Sequence, residues 1–135
     1  MRIKNLFFLF VIVILVSIAV SVLLIQKTSL YSYKRLKIDF TIGDHLGFNT
    51  NQDALHFGTL QQGNRGFREF DIKNMDCNKC KVSLISNLDW ISLSDNDFIL
   101  NKNQGKTITA YLTIPSGAKD GKYEGYLDIY LWRVL

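Results

Sequence analysis

The chain has 135 residues, 47% of them hydrophobic and 21% charged, with 16 Lys and Arg against 12 Asp and Glu, a net charge of +4 and an isoelectric point near 9.1. That length holds one ordinary domain, the apolar content excludes disorder, and two cysteines exclude a disulfide-built miniprotein. The basic excess is local: residues 1–35 carry five basic and no acidic residues, whereas residues 36–135 carry eleven basic and twelve acidic ones, which leaves no nucleic-acid footprint on the larger part.

Leu6 to Ile25 reads LFFLFVIVILVSIAVSVLLI, twenty residues in which only Ser17 and Ser21 are polar. At about 1.5 Å per residue such a helix spans roughly 30 Å, the hydrocarbon thickness of a bilayer. A cleaved secretory signal has a shorter apolar region and ends at small residues; here Ser17-Ile18-Ala19 lies inside the run, so an uncleaved signal anchor is expected. Basic residues flank both ends, Arg2 and Lys4 on one side and Lys27, Lys34, Arg35 and Lys37 on the other. The positive-inside rule therefore ties. The short head, residues 1–5, is assigned to the cytoplasm and the domain to the outside of the cytoplasmic membrane, because that is the usual arrangement for a signal-like span. Residues 26–35 are expected to form a polar juxtamembrane linker, and residues 36–135 the domain.

From Leu36 the apolar period becomes two. Leu36, Ile38, Phe40 and Ile42 alternate with polar residues, as do Phe70 and Ile72, then Val82 and Leu84, then Ile108, Ala110, Leu112 and Ile114, and finally Gly125, Leu127, Ile129 and Leu131. Shorter apolar pieces lie at 54–57, 90–93 and 97–100. Turn-forming clusters separate them, including Gly43-Asp44-His45, Asn49-Thr50-Asn51, Gln62-Gly63-Asn64 and Ser116 to Gly121. Seven or eight short strands at this spacing predict an all-β domain, an immunoglobulin-like antiparallel β-sandwich.

Leu55-His56-Phe57-Gly58-Thr59-Leu60, Trp90-Ile91-Ser92, and Thr113-Ile114-Pro115 followed by Ala118 to Gly125 resemble the immunoglobulin-like modules of prokaryotic, notably archaeal, envelope proteins, and also the BACON carbohydrate-associated domains. The resemblance covers roughly residues 54 to 130 and rests on turns and core positions. It implies a sandwich in an extracytoplasmic setting and no particular substrate.

Cys77-Asn78-Lys79-Cys80 departs from that pattern. A CxxC can be a redox dithiol, half of a metal site or a local disulfide. Its flanks read as loop and strand, not as a helix start, and neither a second CxxC nor an HxxxH accompanies it; His45 and His56 lie elsewhere in the chain. A disulfide is expected. Asp76, Asp89, Asp95 and Asp97 sit at turns without the spacing of a calcium loop. No nucleophile elbow, phosphate-binding glycine loop or carboxylate pair is present in the sequence, so neither catalysis nor a cofactor or metal is expected. A hairpin across residues 116–121 would pair Tyr111 with Tyr126, Thr109 with Asp128 and Thr107 with Tyr130. It would gather Tyr111, Tyr126, Tyr130 and Trp132 into an outward patch suited to a protein partner or, alternatively, a carbohydrate. The bland alternative is that these residues are cross-strand pairs on a solvated sheet. The expected partners are the lipid bilayer and another envelope protein, in a binding or scaffolding role.

Overall fold

An unbroken apolar run favours a helix that satisfies its own backbone, and the computed structural model, which describes residues 2–44 and 54–134, forms helix α1 over Arg2–Lys27. Within it Ile3–Ile25 is long and apolar enough to cross a membrane, and none of its side chains is covered by the rest of the protein. The Ser21 hydroxyl donates to the Ser17 carbonyl at 2.8 Å, so that polar group is paired inside the helix.

Eight strands follow: β1 (Thr28–Ile42), β2 (Ala54–Leu60), β3 (Arg65–Lys73), β4 (Lys79–Ser86), β5 (Ile91–Leu93), β6 (Phe98–Asn101), β7 (Gly105–Thr113) and β8 (Gly121–Val134). They form one five-stranded sheet in the order β2-β1-β8-β4-β6 and one three-stranded sheet in the order β3-β7-β5. All pairings are antiparallel except β1 with β2. From β2 onward every connection crosses from one sheet to the other, so no two consecutive strands of that series pair with each other. The inward rows of both sheets, among them Ile38, Phe40, Val82, Ile108, Leu112, Leu127 and Ile129, make one buried cluster. The period-two alternation read from the sequence is therefore the alternation between this core and solvent.

Two expectations are corrected. The polar linker expected over residues 26–35 is strand from Thr28 onward: β1 follows α1 directly and pairs with β8 from Thr28 opposite Val134 to Ile42 opposite Gly121. Ser32 and Lys34 stand opposite Leu131 and Ile129, and directly paired residues share a face, so polar side chains occupy the inward phase of β1 here. Both are exposed, and a register irregularity between Leu30 and Ser32 further hides the alternation. The hairpin expected across 116–121 does not form, because β7 and β8 lie in different sheets. The turns expected at His45 and Asn49–Asn51 fall outside the described residues.

Two glycines have steric reasons. At Gly58, with φ of 74°, the β1–β2 register slips so that Asp39 and Phe40 face His56 and Gly58, and the inserted Phe57 turns into the core. At Gly125 the segment after β4 steps over β8: an added Cβ would lie 2.4 Å from Leu88 Cγ and 2.9 Å from Asn87 Oδ1. Asn87 is fixed there by accepting the Tyr126 N–H at 2.6 Å through its side chain and donating its own N–H to the Tyr126 carbonyl at 3.1 Å.

Candidate interaction surface

Alternation on β1, β8 and β4 buries one row of each strand and turns the other row out, and on the five-stranded sheet that outer row is aromatic and charged. Its centre is Arg35, opposite Asp128 in the register. Arg35 Nε and Nη2 donate to the two Asp128 carboxylate oxygens at 2.6 and 2.9 Å, and the Tyr33 hydroxyl donates to the same carboxylate at 2.9 Å. A bidentate guanidinium–carboxylate pair fixes the plane of the Arg35 fork. That plane lies over the Tyr126 ring at 5.0 Å and the Tyr33 ring at 6.0 Å. Tyr33 meets Tyr130 with centroids 5.1 Å apart, and Tyr130 stacks on Trp132 at 6.1 Å. Lys37 closes the row by pairing with Glu124 at 2.8 Å.

The electrostatics follow from these contacts. The hydrogen bonds from Arg35 hold the Asp128 carboxyl below the usual carboxylate range, against partial desolvation, and the Tyr33 hydroxyl adds to the effect. Asp128 in turn raises Arg35, so the ion pair persists across ordinary pH. Desolvation, then the bond to Asp128, pushes the Tyr33 phenol up, and Glu124 raises Lys37. Ile85 and Ile99 stand exposed next to this network, and within it Tyr33, Tyr126 and Trp132 retain between 36% and 45% of their surface in solvent.

Of the expected patch, Tyr126, Tyr130 and Trp132 therefore share one face, while Tyr111 does not join them. Tyr111 is on β7 in the other sheet, opposite Phe67 and Ser92, half-buried beneath the Arg65 guanidinium at 4.2 Å. Thr109 pairs with Glu69 and Thr107 with Asp71, in place of Asp128 and Tyr130. Sequence reasoning missed Tyr33 and Arg35, which it placed in a linker. The available signal was the aromatic repeat Tyr31, Tyr33 on a β-favouring stretch.

Cys77 and Cys80 form a disulfide with Cα atoms 6.0 Å apart, and both are buried, at 2% and 0% exposure. Asn74 seals the loop: its Nδ2 donates to the carbonyls of Cys77 and Leu100, and its Oδ1 accepts the Cys77 N–H. Among the described residues no group of three or more His, Cys, Asp or Glu side chains comes together. His56 Nδ1 lies 2.6 Å from Asp39 Oδ1, with Arg68 donating to the His56 carbonyl. Asn96 uses its side-chain amide to bond both the N–H and the carbonyl of Leu84, and Asp95 and Asp97 pair with Lys106 and Lys81. These turn residues extend the edge of β4 beyond β6.

Compared with family models, with curated proteins and with solved structures, the chain matches none.

Proposed function

We propose that this chain is a single-span membrane protein whose β-domain stands outside the cytoplasmic membrane and binds or scaffolds another envelope protein through the outer face of the five-stranded sheet. The carrying observation is the Arg35–Asp128 pair, which holds a row of solvent-facing rings in fixed positions on a strand continuous with α1. Rigid Tyr and Trp rings around an Arg are the side chains that dominate protein interfaces, and their immobilisation lowers the entropy cost of binding. The buried disulfide supports an oxidising compartment for the domain. Two sheets around one buried cluster support an immunoglobulin-like reading, with two departures, the first being that β1 and β2 pair in parallel where an antiparallel sandwich is expected. Second, immunoglobulin sheets pair several consecutive strands, whereas here each step from β2 to β8 changes sheet.

The test is crosslinking in intact cells followed by copurification of the full chain, with Tyr126→Ser and Arg35→Ala as variants. A stoichiometric protein lost in both variants, while the domain stays folded, supports the reading. Retention on a glycan array that depends on the same residues would replace it with carbohydrate recognition, and unchanged crosslinks would overturn both.

A further inference from the structure

The chain leaves α1 at Lys27 and enters β1 at Thr28, so one end of the five-stranded sheet is tied to the helix without a spacer. The register identifies what else lies at that end. Ser29 is opposite Arg133, Arg133 is opposite Cys80, and Cys80 is opposite Leu100; the next row holds Leu30, Trp132, Lys81 and Ile99. The loops beyond these rows are bonded to each other, Lys102 N–H to the Asn78 carbonyl at 3.0 Å and Asn103 N–H to the Asn74 carbonyl at 2.7 Å. With strands about 4.8 Å apart and a rise of about 3.4 Å per residue, all of this lies within roughly 20 Å of the end of the helix.

Exposed apolar side chains gather at this end. Leu30, Met75, Ile99 and Trp132 are 48%, 63%, 49% and 36% exposed, and all four belong to this pole. Elsewhere on the domain the exposed large hydrophobic side chains among the described residues are Tyr33, Ile85 and Tyr126 on the five-stranded sheet and Phe67 on the three-stranded one. Lys79, Lys102 and Arg133 project from the helix-adjacent pole, with Asp76 as the nearby acid and Lys81 paired with Asp97. Tyr31, under the Arg133 guanidinium at 5.4 Å, completes an aromatic and basic rim.

Resting on the reading that α1 spans a bilayer, we infer that this pole is seated in the headgroup layer of the same membrane, with Trp132, Leu30, Ile99 and Met75 at the acyl boundary and the lysines and Arg133 on anionic phosphates. Trp and Tyr favour that depth because one end of each ring system is apolar and the other forms hydrogen bonds, and basic side chains near the surface are drawn to anionic lipid. The covalent tie names the occupant: a bilayer holding α1 brings its interface to Leu30 and Trp132 whichever side the domain occupies. This divides the outer face of the sheet into a lipid-facing end at Trp132 and a part farther from the membrane, around Arg35, Tyr126 and Ile85, left for a protein partner.

The two tryptophans make a direct test. Trp90 packs against Phe40 and Tyr123, with centroids 6.1 and 5.4 Å away, toward the opposite pole. The full chain would be reconstituted in phosphatidylcholine–phosphatidylserine vesicles brominated near the top of the acyl chains, and its emission compared with that of Trp132→Phe. The expected result is a bromine-quenched component in the parent that Trp132→Phe lacks, with the remaining Trp90 emission unquenched. Parent emission that bromine leaves unchanged, in a chain that resists alkaline extraction and leaves Trp132 open to aqueous iodide, overturns the seating while leaving the span intact. Shielding of Trp132 from aqueous iodide without bromine quenching also overturns it, in favour of a second copy or another protein on this pole. A chain released by alkaline extraction overturns the span and the seating together.

Discussion

Asn74 and Cys77 are joined twice: the Asn74 Nδ2 donates to the Cys77 carbonyl at 2.7 Å, and the Cys77 N–H donates to Asn74 Oδ1 at 3.1 Å. Asn74 is the one fully buried polar side chain among the described residues, and its second amide hydrogen reaches the Leu100 carbonyl at 3.0 Å. Its backbone also bonds Gln104 and Asn103, so one residue ties the β3–β4 connection to the β6–β7 connection. Asn74→Asp keeps the volume but cannot donate when ionised, and places a charge where no cation is within bonding distance. Asn74→Ala should destabilise the domain by about 1–3 kcal/mol, the cost of stranding buried polar groups, and Asn74→Asp by more at neutral pH. Denaturant unfolding followed by Trp emission measures both. A change below about 0.5 kcal/mol for either variant would contradict the role of Asn74 as the clamp.

Within that clamp the disulfide closes a very short loop, so its removal should cost only about 2 kcal/mol on the loop-entropy estimate. Cys77→Ser with Cys80→Ser should therefore leave a folded chain with a lowered unfolding midpoint. Protein unfolded in denaturant with an alkylating agent and no reductant should carry no adduct at either position, because the two sulfurs are bonded to each other. Two adducts by mass spectrometry would place the domain in a reducing compartment and remove the support that the bond lends to an outside location.

The physical cause of each success and failure in reading the sequence is visible in particular residues. Ile108, Ala110, Leu112 and Ile114 are legible as an inward row because each is fully buried and Thr107, Thr109, Tyr111 and Thr113 alternate with them; Leu127, Ile129 and Leu131 are legible as aliphatic side chains alternating with aromatic or charged ones. The apolar helix was legible from length alone. Local turn chemistry at 116–121, however, cannot distinguish a hairpin from a crossover between sheets. Which partner β7 takes is decided by long-range packing against β3 and β5, and Tyr111 was assigned to the wrong sheet for that reason. Arg35 and Tyr33 were missed because Ser32 and Lys34 put polar side chains on the inward phase at the uncovered end of β1, which reads as a linker.

Gly125 carries no turn and no positive φ, so its requirement is purely steric. The Leu88 side chain occupies the space above it, with Cγ 2.4 Å from the position of a Cβ, and that carbon is too close to its own backbone to swing away. The Asn87 side chain that would be pushed aside is the acceptor for the Tyr126 N–H. Gly125→Ala should therefore cost about 1–3 kcal/mol, as overpacking of a filled core does, despite removing the flexibility that glycine gives the unfolded chain. Gly117, with nothing within 4 Å of a Cβ, is the control and should accept alanine with a change of less than about 0.5 kcal/mol. The difference between the two Tm values is the measurement, and equal values would mean that Leu88 does not pack over β8.

Acid should weaken the domain through a defined set of carboxylates. Asp128 is held low by Arg35, Asp95 by Lys106, and Asp97 first by the Ser83 hydroxyl and then by Lys81. A carboxyl whose folded value lies below its unfolded value of about 3.9 stabilises the fold fully above that pH, and its contribution is lost as the pH falls through the lower, folded value. Stability should accordingly be flat from neutrality to about pH 5 and decline below about pH 4. Asp128→Asn removes the carboxylate that Arg35 and Tyr33 share, so its Tm should lie below that of the parent at neutral pH by a few degrees, a modest effect because water screens an exposed pair. The two curves should converge as the pH falls through the lowered value of Asp128, where the parent's own carboxyl becomes protonated. A gap between parent and variant that stays constant from neutral to strongly acidic pH would show that the ion pair with Arg35 contributes nothing to the fold.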